Sequence, residues 1–119
     1  MIRIRYFLLL AILLLIINNC STITSTNDNP EWVNNLINEF ENQSVVNPPQ
    51  SIWQYDYLGQ RVYYVPTQCC DQFSTLYDKN GNVLCAPDGG ISVTSDGKCP
   101  DFFENRINEK LIWKDTRGK

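Results

Sequence analysis

The chain contains no histidine among its 119 residues. That absence removes Ser-His and Cys-His nucleophilic chemistry, and imidazole metal ligation, from anything the chain does alone. It has no excess of basic side chains either: ten lysines and arginines face 13 aspartates and glutamates. A surface built for phosphate backbones is not indicated, and no nucleic-acid partner is expected. It lacks an internal repeat, and it lacks an apolar run of the roughly 20 residues that a spanning helix needs. The length suits about one domain.

What it does have begins at the N-terminus. Arg3 and Arg5 precede an unbroken apolar run from Tyr6 to Ile17, 12 residues long. That is the charged start and short core of a signal peptide, assigned here to residues 1–19. Ile17-Asn18-Asn19-Cys20 then places a cysteine where a bacterial lipoprotein leader is cut. Acylation of Cys20 would tether the mature chain to a membrane. Cleavage within Ser21 to Thr26, giving a secreted protein, is the rival. Cysteine parity favours the lipid: five is odd, and setting Cys20 aside leaves Cys69, Cys70, Cys85 and Cys99 to pair. Without the leader, eight basic side chains face 13 acidic ones.

Residues 20–29 are rich in Ser, Thr and Asn and read as a flexible tether. Residues 30–119 read as one α+β domain. Asn29-Pro30-Glu31 has the capping side chain, first-turn proline and acid of a helix start. Trp32, Val33, Leu36, Ile37 and Phe40 then recur at helical spacing, which predicts a helix from Pro30 to Glu41. Ile52 to Leu58 alternates, with Trp53, Tyr55 and Tyr57 on one face. Gly59-Gln60 is the hairpin candidate, and Arg61 to Val65 the second strand. Phe73 to Tyr77 and Val83 to Cys85 are the third and fourth, joined by an Asn80-Gly81 turn. Ala86 to Lys98 is a loop with a short strand at Ile91 to Thr94. Pro100 to Ile107 is a short C-terminal helix, and Leu111-Ile112-Trp113 suits a terminal strand or a continued helix. The sum is an N-terminal helix on an antiparallel sheet of about four strands.

Cys69 and Cys70 are neighbours, so their Cα atoms lie about 3.8 Å apart. A relaxed disulfide wants roughly 4.4 Å or more. The expectation is therefore two outward bridges, Cys69–Cys85 with Cys70–Cys99, or Cys69–Cys99 with Cys70–Cys85. Each would contribute on the order of 3 kcal/mol. Zinc is the rival, but the gaps of 14 and 13 residues after Cys70 and Cys85 are not paired C-x₂-C knuckles. A thiol-redox role for Cys69 and Cys70 is the other alternative.

Asp71, Asp88, Asp96 and Asp101 read as turn and cap chemistry rather than as calcium ligands or an acid–base pair. No catalytic residue, metal ligand or cofactor is assigned. Trp53, Tyr55 and Tyr57 of the aromatic hairpin, and the Asp88-Gly89-Gly90 loop, are the candidate binding residues.

The run Trp53-Gln54-Tyr55, Cys69-Cys70-Asp71, Asn80-Gly81, Pro87-Asp88-Gly89-Gly90 and Cys99-Pro100-Asp101-Phe102 resembles a family of small exported proteins. These are mostly Bacteroidetes lipoproteins carrying a domain of unknown function. The resemblance spans about Pro48 to Trp113. It implies an envelope location and lipid attachment, and it supplies no catalytic residue. Surface-exported members of that group often carry acids just after the lipidated cysteine. Ser21 to Thr26 has none, which favours a periplasm-facing position. The expectation is a non-enzymatic envelope lipoprotein, anchored to the membrane by lipid, that binds an envelope protein or small ligand. The alternative is a metal-binding or thiol-redox protein using Cys69 and Cys70.

Overall fold

The computed structural model describes residues 28–68, 72–89 and 95–118. The leader, Cys20, Cys69, Cys70, Asp71, Gly90 and the expected strand at Ile91 to Thr94 lie outside the described residues.

Helix α1 spans Glu31–Asn42, with Pro30 in the cap position, one residue later than the sequence motif places it. Strands β1 (Ser51–Tyr57), β2 (Gln60–Val65), β3 (Thr75–Asp78) and β4 (Val83–Cys85) follow as an antiparallel meander. Helix α2 is a single turn, Phe102–Asn105, and β5 covers Ile107–Lys114. The sheet order is β4-β3-β2-β1-β5. The last strand thus lies against the first, antiparallel to it, with Ser51 opposite Lys114 and Asp56 opposite Ile107.

The sheet is buried on both faces at its centre, which is why Val62, Tyr63 and Tyr64 of β2 are all buried in succession. On one face the apolar stripe of α1 covers Ile52 and Tyr63, with Val33 fully enclosed and Trp32, Leu36, Ile37 and Phe40 around it. Trp32 meets Tyr63 edge-on and lies tilted against Tyr77, with ring centroids 5.2 Å apart in both pairs. Its indole N–H donates to the Lys79 carbonyl at 3.0 Å, fastening the start of the helix to the β3–β4 turn. On the other face Tyr55, Tyr57, Val62, Tyr64 and Leu76 pack with Phe102 of α2 and with Cys85 and Cys99. Phe102 contacts the rings of Tyr55, Tyr57, Tyr64 and Phe103, so one helical turn plugs the whole face.

Beyond the last strand, Arg117 ties the ends together. Its guanidinium grips the buried Asp115 carboxylate and also donates to the carbonyls of Phe40, Glu41 and Gln43. The carbonyls at the end of α1 thus find a cation, as helix C-termini prefer. The same pairing holds the Asp115 carboxyl below the usual carboxylate range.

Four expectations are corrected. The sheet has five strands rather than about four, because the segment around Leu111-Ile112-Trp113, open to strand or helix in the sequence, is a strand that joins the sheet beside β1. The C-terminal helix is four residues, ending at Asn105. The first hairpin turns at Leu58-Gly59, one residue earlier than read, with both residues at positive φ (49° and 75°) as a type I′ turn requires. Finally, Cys85 bonds Cys99, with Cα atoms 6.2 Å apart, which excludes both expected bridge patterns. Cys85 at the end of β4 and Cys99 just before α2 sit on the same face of the sheet, so they find each other without an intermediary.

Candidate functional site

Tyr55 and Tyr57 are buried, and each hydroxyl is spent inside the molecule. Tyr55 donates to Glu109 at 2.7 Å and Tyr57 to Asp101 at 2.6 Å. Tyr64 makes the same kind of bond to Asp88, at 2.9 and 3.0 Å to the two carboxylate oxygens. Three tyrosines of one sheet face thus each meet a carboxylate from the chain segments that cover or flank that face. Burial, with the Glu109 bond second, pushes the Tyr55 hydroxyl up to about 12. The Asp101 bond, with burial second, does the same for Tyr57. For Tyr64, burial and Asp88 push it higher still. These phenols stay protonated and act as donors that hold the covering segments.

Trp53 is half-buried, its indole N–H donating to Ser51 Oγ at 3.1 Å. Asp88 is held further by Ser74, whose hydroxyl donates to the Asp88 carbonyl and accepts from its N–H. Gly89 closes a bridge onto Phe73, so tightly that an added Cβ would stand 2.5 Å from the Phe73 Cα. The Asp88-Gly89 part of the loop is therefore pinned to Phe73 and Ser74, just ahead of β3. Gly90 and the Cys69-Cys70 pair lie outside the described residues. With Cys85 and Cys99 bonded to each other, a site of four thiolates is not available in this state.

Arg106, which the sequence reading passed over, lies over the rings of Tyr55 and Phe103 at 4.7 and 4.8 Å and donates to the Tyr55 hydroxyl at 3.3 Å. It straps α2 to β1 through cation–π contact as well as hydrogen bonding.

Recessed apolar surface gathers at the turn end of the first hairpin. Leu58 sits there, 70% exposed, at φ 49°. A left-handed conformation is costly for a bulky side chain, and Asn or Gly ordinarily fills this turn position. Leu58 walls two hollows. One, of about 230 Å³, is lined by Tyr57, Val62, Leu84 and the bonded Cys85 and Cys99, with Gln60 and Lys98 beside them. The other, broader and about 590 Å³, is lined by Asp56, Leu58, Gly59, Asn105 and Ile107. Leu84 is the extra residue of a bulge in β4, since Leu76 faces Cys85 while the next residue, Tyr77, faces Val83. Bulges of this kind re-aim a side chain. Sequence reasoning missed Leu58, Leu84 and Lys98. The available signal was an apolar residue in front of Gly59, where a turn former belongs.

Among the described residues no helix is long and apolar enough to cross a membrane. No curated protein and no solved structure matches the chain. Residues 38–115, which take in the end of α1, the whole sheet and Asp115, match the family described as a domain of unknown function, DUF6970, and the chain belongs to that family.

Proposed function

We propose that the protein is a non-enzymatic cell-envelope lipoprotein, anchored through Cys20 and facing the periplasm, that binds a protein partner through the turn end of its first hairpin. The observation that carries the binding role is Leu58. A large apolar side chain is held in water, in a backbone conformation that suits it poorly, between two hollows. Strain and exposed apolar surface together point to contact with something else. The aromatic rings of the hairpin are packed inside, so the binding surface moves to the hairpin's tip. The anchor rests on the leader and on Cys20 at its end.

Fractionation tests the anchor. Wild-type protein should sediment with membranes and carry acyl mass on the peptide beginning at Cys20. Cys20→Ala should release it to the soluble fraction. A mature N-terminus between Ser21 and Thr26 would overturn the anchor and leave a secreted protein. A photo-crosslinker installed at position 58 tests the binding role in cells. No crosslinked protein there would overturn it.

A second reading gains from one observation. Because Cys85 and Cys99 bond each other, Cys69 and Cys70 cannot pair with them. Thiol-redox chemistry at that adjacent pair is then open, and mass analysis before and after alkylation reports its state.

A further inference from the structure

We infer that the partner of the hairpin tip is a protein of the same membrane that holds the lipid anchor, and that the short stretch of chain from Cys20 delivers the tip to it. The inference rests on the anchor and the binding role proposed above and says where the partner resides.

Topology argues first. Helix α1 enters at the β3–β4 turn, where the Trp32 indole donates to the Lys79 carbonyl and its ring lies against Gly81. That turn sits beside the tip of the first hairpin, because Asp78 stands opposite Val62 and Gln60 opposite Tyr57. Ile107, largely exposed, opens β5 opposite Asp56 at this same end. The other end of α1 points away: its last carbonyls meet Arg117, beyond the Lys114 that faces Ser51. The seven residues of β1 put roughly 20 Å between the two ends. The chain therefore runs in from Cys20 at the end that carries Leu58 and the two hollows. The eight residues from Ser21 to Asp28 span at most about 29 Å when fully extended. An acylated Cys20 keeps this end of the domain close to the bilayer.

Size argues next. Leu58, Leu84 and Ile107 are the exposed aliphatic side chains around the hollows. Together they offer a patch on the order of 300 Å². Each partner of a stable complex buries roughly 800 Å². So small a contact does not hold a freely diffusing protein. It serves for one that the anchor already brings close, because two attachments to one scaffold multiply each other. Shape and charge set the bilayer itself aside. A recess takes a side chain rather than a flat surface. Arg61 faces Asp56 across the hairpin and Lys79 adjoins Asp78, so among the described residues this end lacks the basic cluster that draws a surface onto anionic headgroups.

The test places photo-crosslinkers at position 58 and, as the far-end control, at Val45, which is exposed and lies beside Lys114 and Asp115. The chain is exported in two forms, one with its own leader and one with a leader cut ahead of Ser21, which releases it without acyl chains. Position 58 of the anchored form should crosslink a protein that stays in membranes washed with carbonate, and position 45 should not. The yield of that adduct should fall at least about tenfold in the released form. Equal melting temperatures of the two forms separate loss of contact from loss of fold. Equal yields from the two forms, equal yields from positions 45 and 58, or an adduct with a soluble protein or a second copy of the chain would each overturn the inference. In those cases the binding role stands and only the membrane residence of the partner fails. With lipid adducts alone, or with none, both fail. A mature N-terminus between Ser21 and Thr26 in the form with its own leader overturns the anchor and this inference together, and leaves the binding role to the crosslink.

Discussion

Gly81→Ala probes the joint between helix and sheet. Gly81 has φ 88°, and a Cβ there would stand 2.9 Å from Cγ and Cδ2 of Trp32 and 3.3 Å from its Cε2. The left-handed backbone alone costs roughly 1–2 kcal/mol for a residue with a side chain. The clash adds to this, because the obstacle is a ring rather than a flexible tip. Moving Trp32 weakens its contacts with Tyr63 and Tyr77, at about 0.5–1.5 kcal/mol for each aromatic pair. It also strains the indole bond to Lys79, a further 0.5–1.5 kcal/mol or so. Partial relaxation of all three gives a loss of about 3 kcal/mol. Gly59→Ala is the control: its φ is 75°, but nothing lies within 4 Å of the added carbon. Only the backbone cost of about 1–2 kcal/mol should appear. Urea unfolding followed by circular dichroism measures both. In a Trp32→Ala background, Gly81→Ala should fall to the cost of the control. Equal losses for Gly81→Ala and Gly59→Ala, or an undiminished loss without Trp32, would refute the reasoning.

Three further outcomes are expected. Phe102→Ala empties the fully buried plug under three tyrosines and should cost about 3–5 kcal/mol by denaturant unfolding, with Phe102→Leu well below that. Opening the Cys85–Cys99 bridge, by paired Ala substitution, should cost on the order of 3 kcal/mol for a loop of 14 residues. For the Tyr57–Asp101 bond the sign differs at the two ends of the pH scale. Asp101 is held below the usual carboxylate range by Tyr57, so its contribution is present above about pH 4 and fades as pH falls through its lowered value. Tyr57, pushed up to about 12, contributes fully below pH 10 and loses that as pH rises through 12. Tyr57→Phe should flatten both limbs of a plot of unfolding midpoint against pH; limbs identical to wild type would count against the bond.

The parts of the fold legible in the sequence are those in which local chemistry and tertiary packing agree. The α1 stripe is one, since Trp32, Val33, Leu36, Ile37 and Phe40 all face the sheet. The Asn80-Gly81 turn is another, where Asp78 Oδ1 accepts the N–H groups of Asn80 and Asn82. Strand β5 was ambiguous because Ile107 to Leu111 are exposed on both sides, which erases the alternation that marks a half-buried strand. Two shifts of register against β1 blur it further. The bridge pattern is not legible in the spacing of the cysteines, because the Cys85–Cys99 bond depends on both residues reaching one face of the sheet, which requires α2 to return across it. The candidate site was hidden for a related reason. Leu58 violates the turn preference used to place the hairpin, so the rule moved the turn by one residue and passed over the exception.

The sheet order also has a kinetic consequence. Strands β1 to β4 find partners that are close along the chain, whereas β5 must come back from the far end of the domain to pair with β1. Closing so long a loop is an entropic toll on assembly, and contacts of large sequence separation slow a folding reaction. Until that closure, the flank of β1 bearing Ile52 and Trp53 offers unpaired N–H and C=O groups to any passing chain. Once in place, β5 shields it and presents Lys110, Lys114 and two irregularities of register instead, a rim poorly suited to fibril growth.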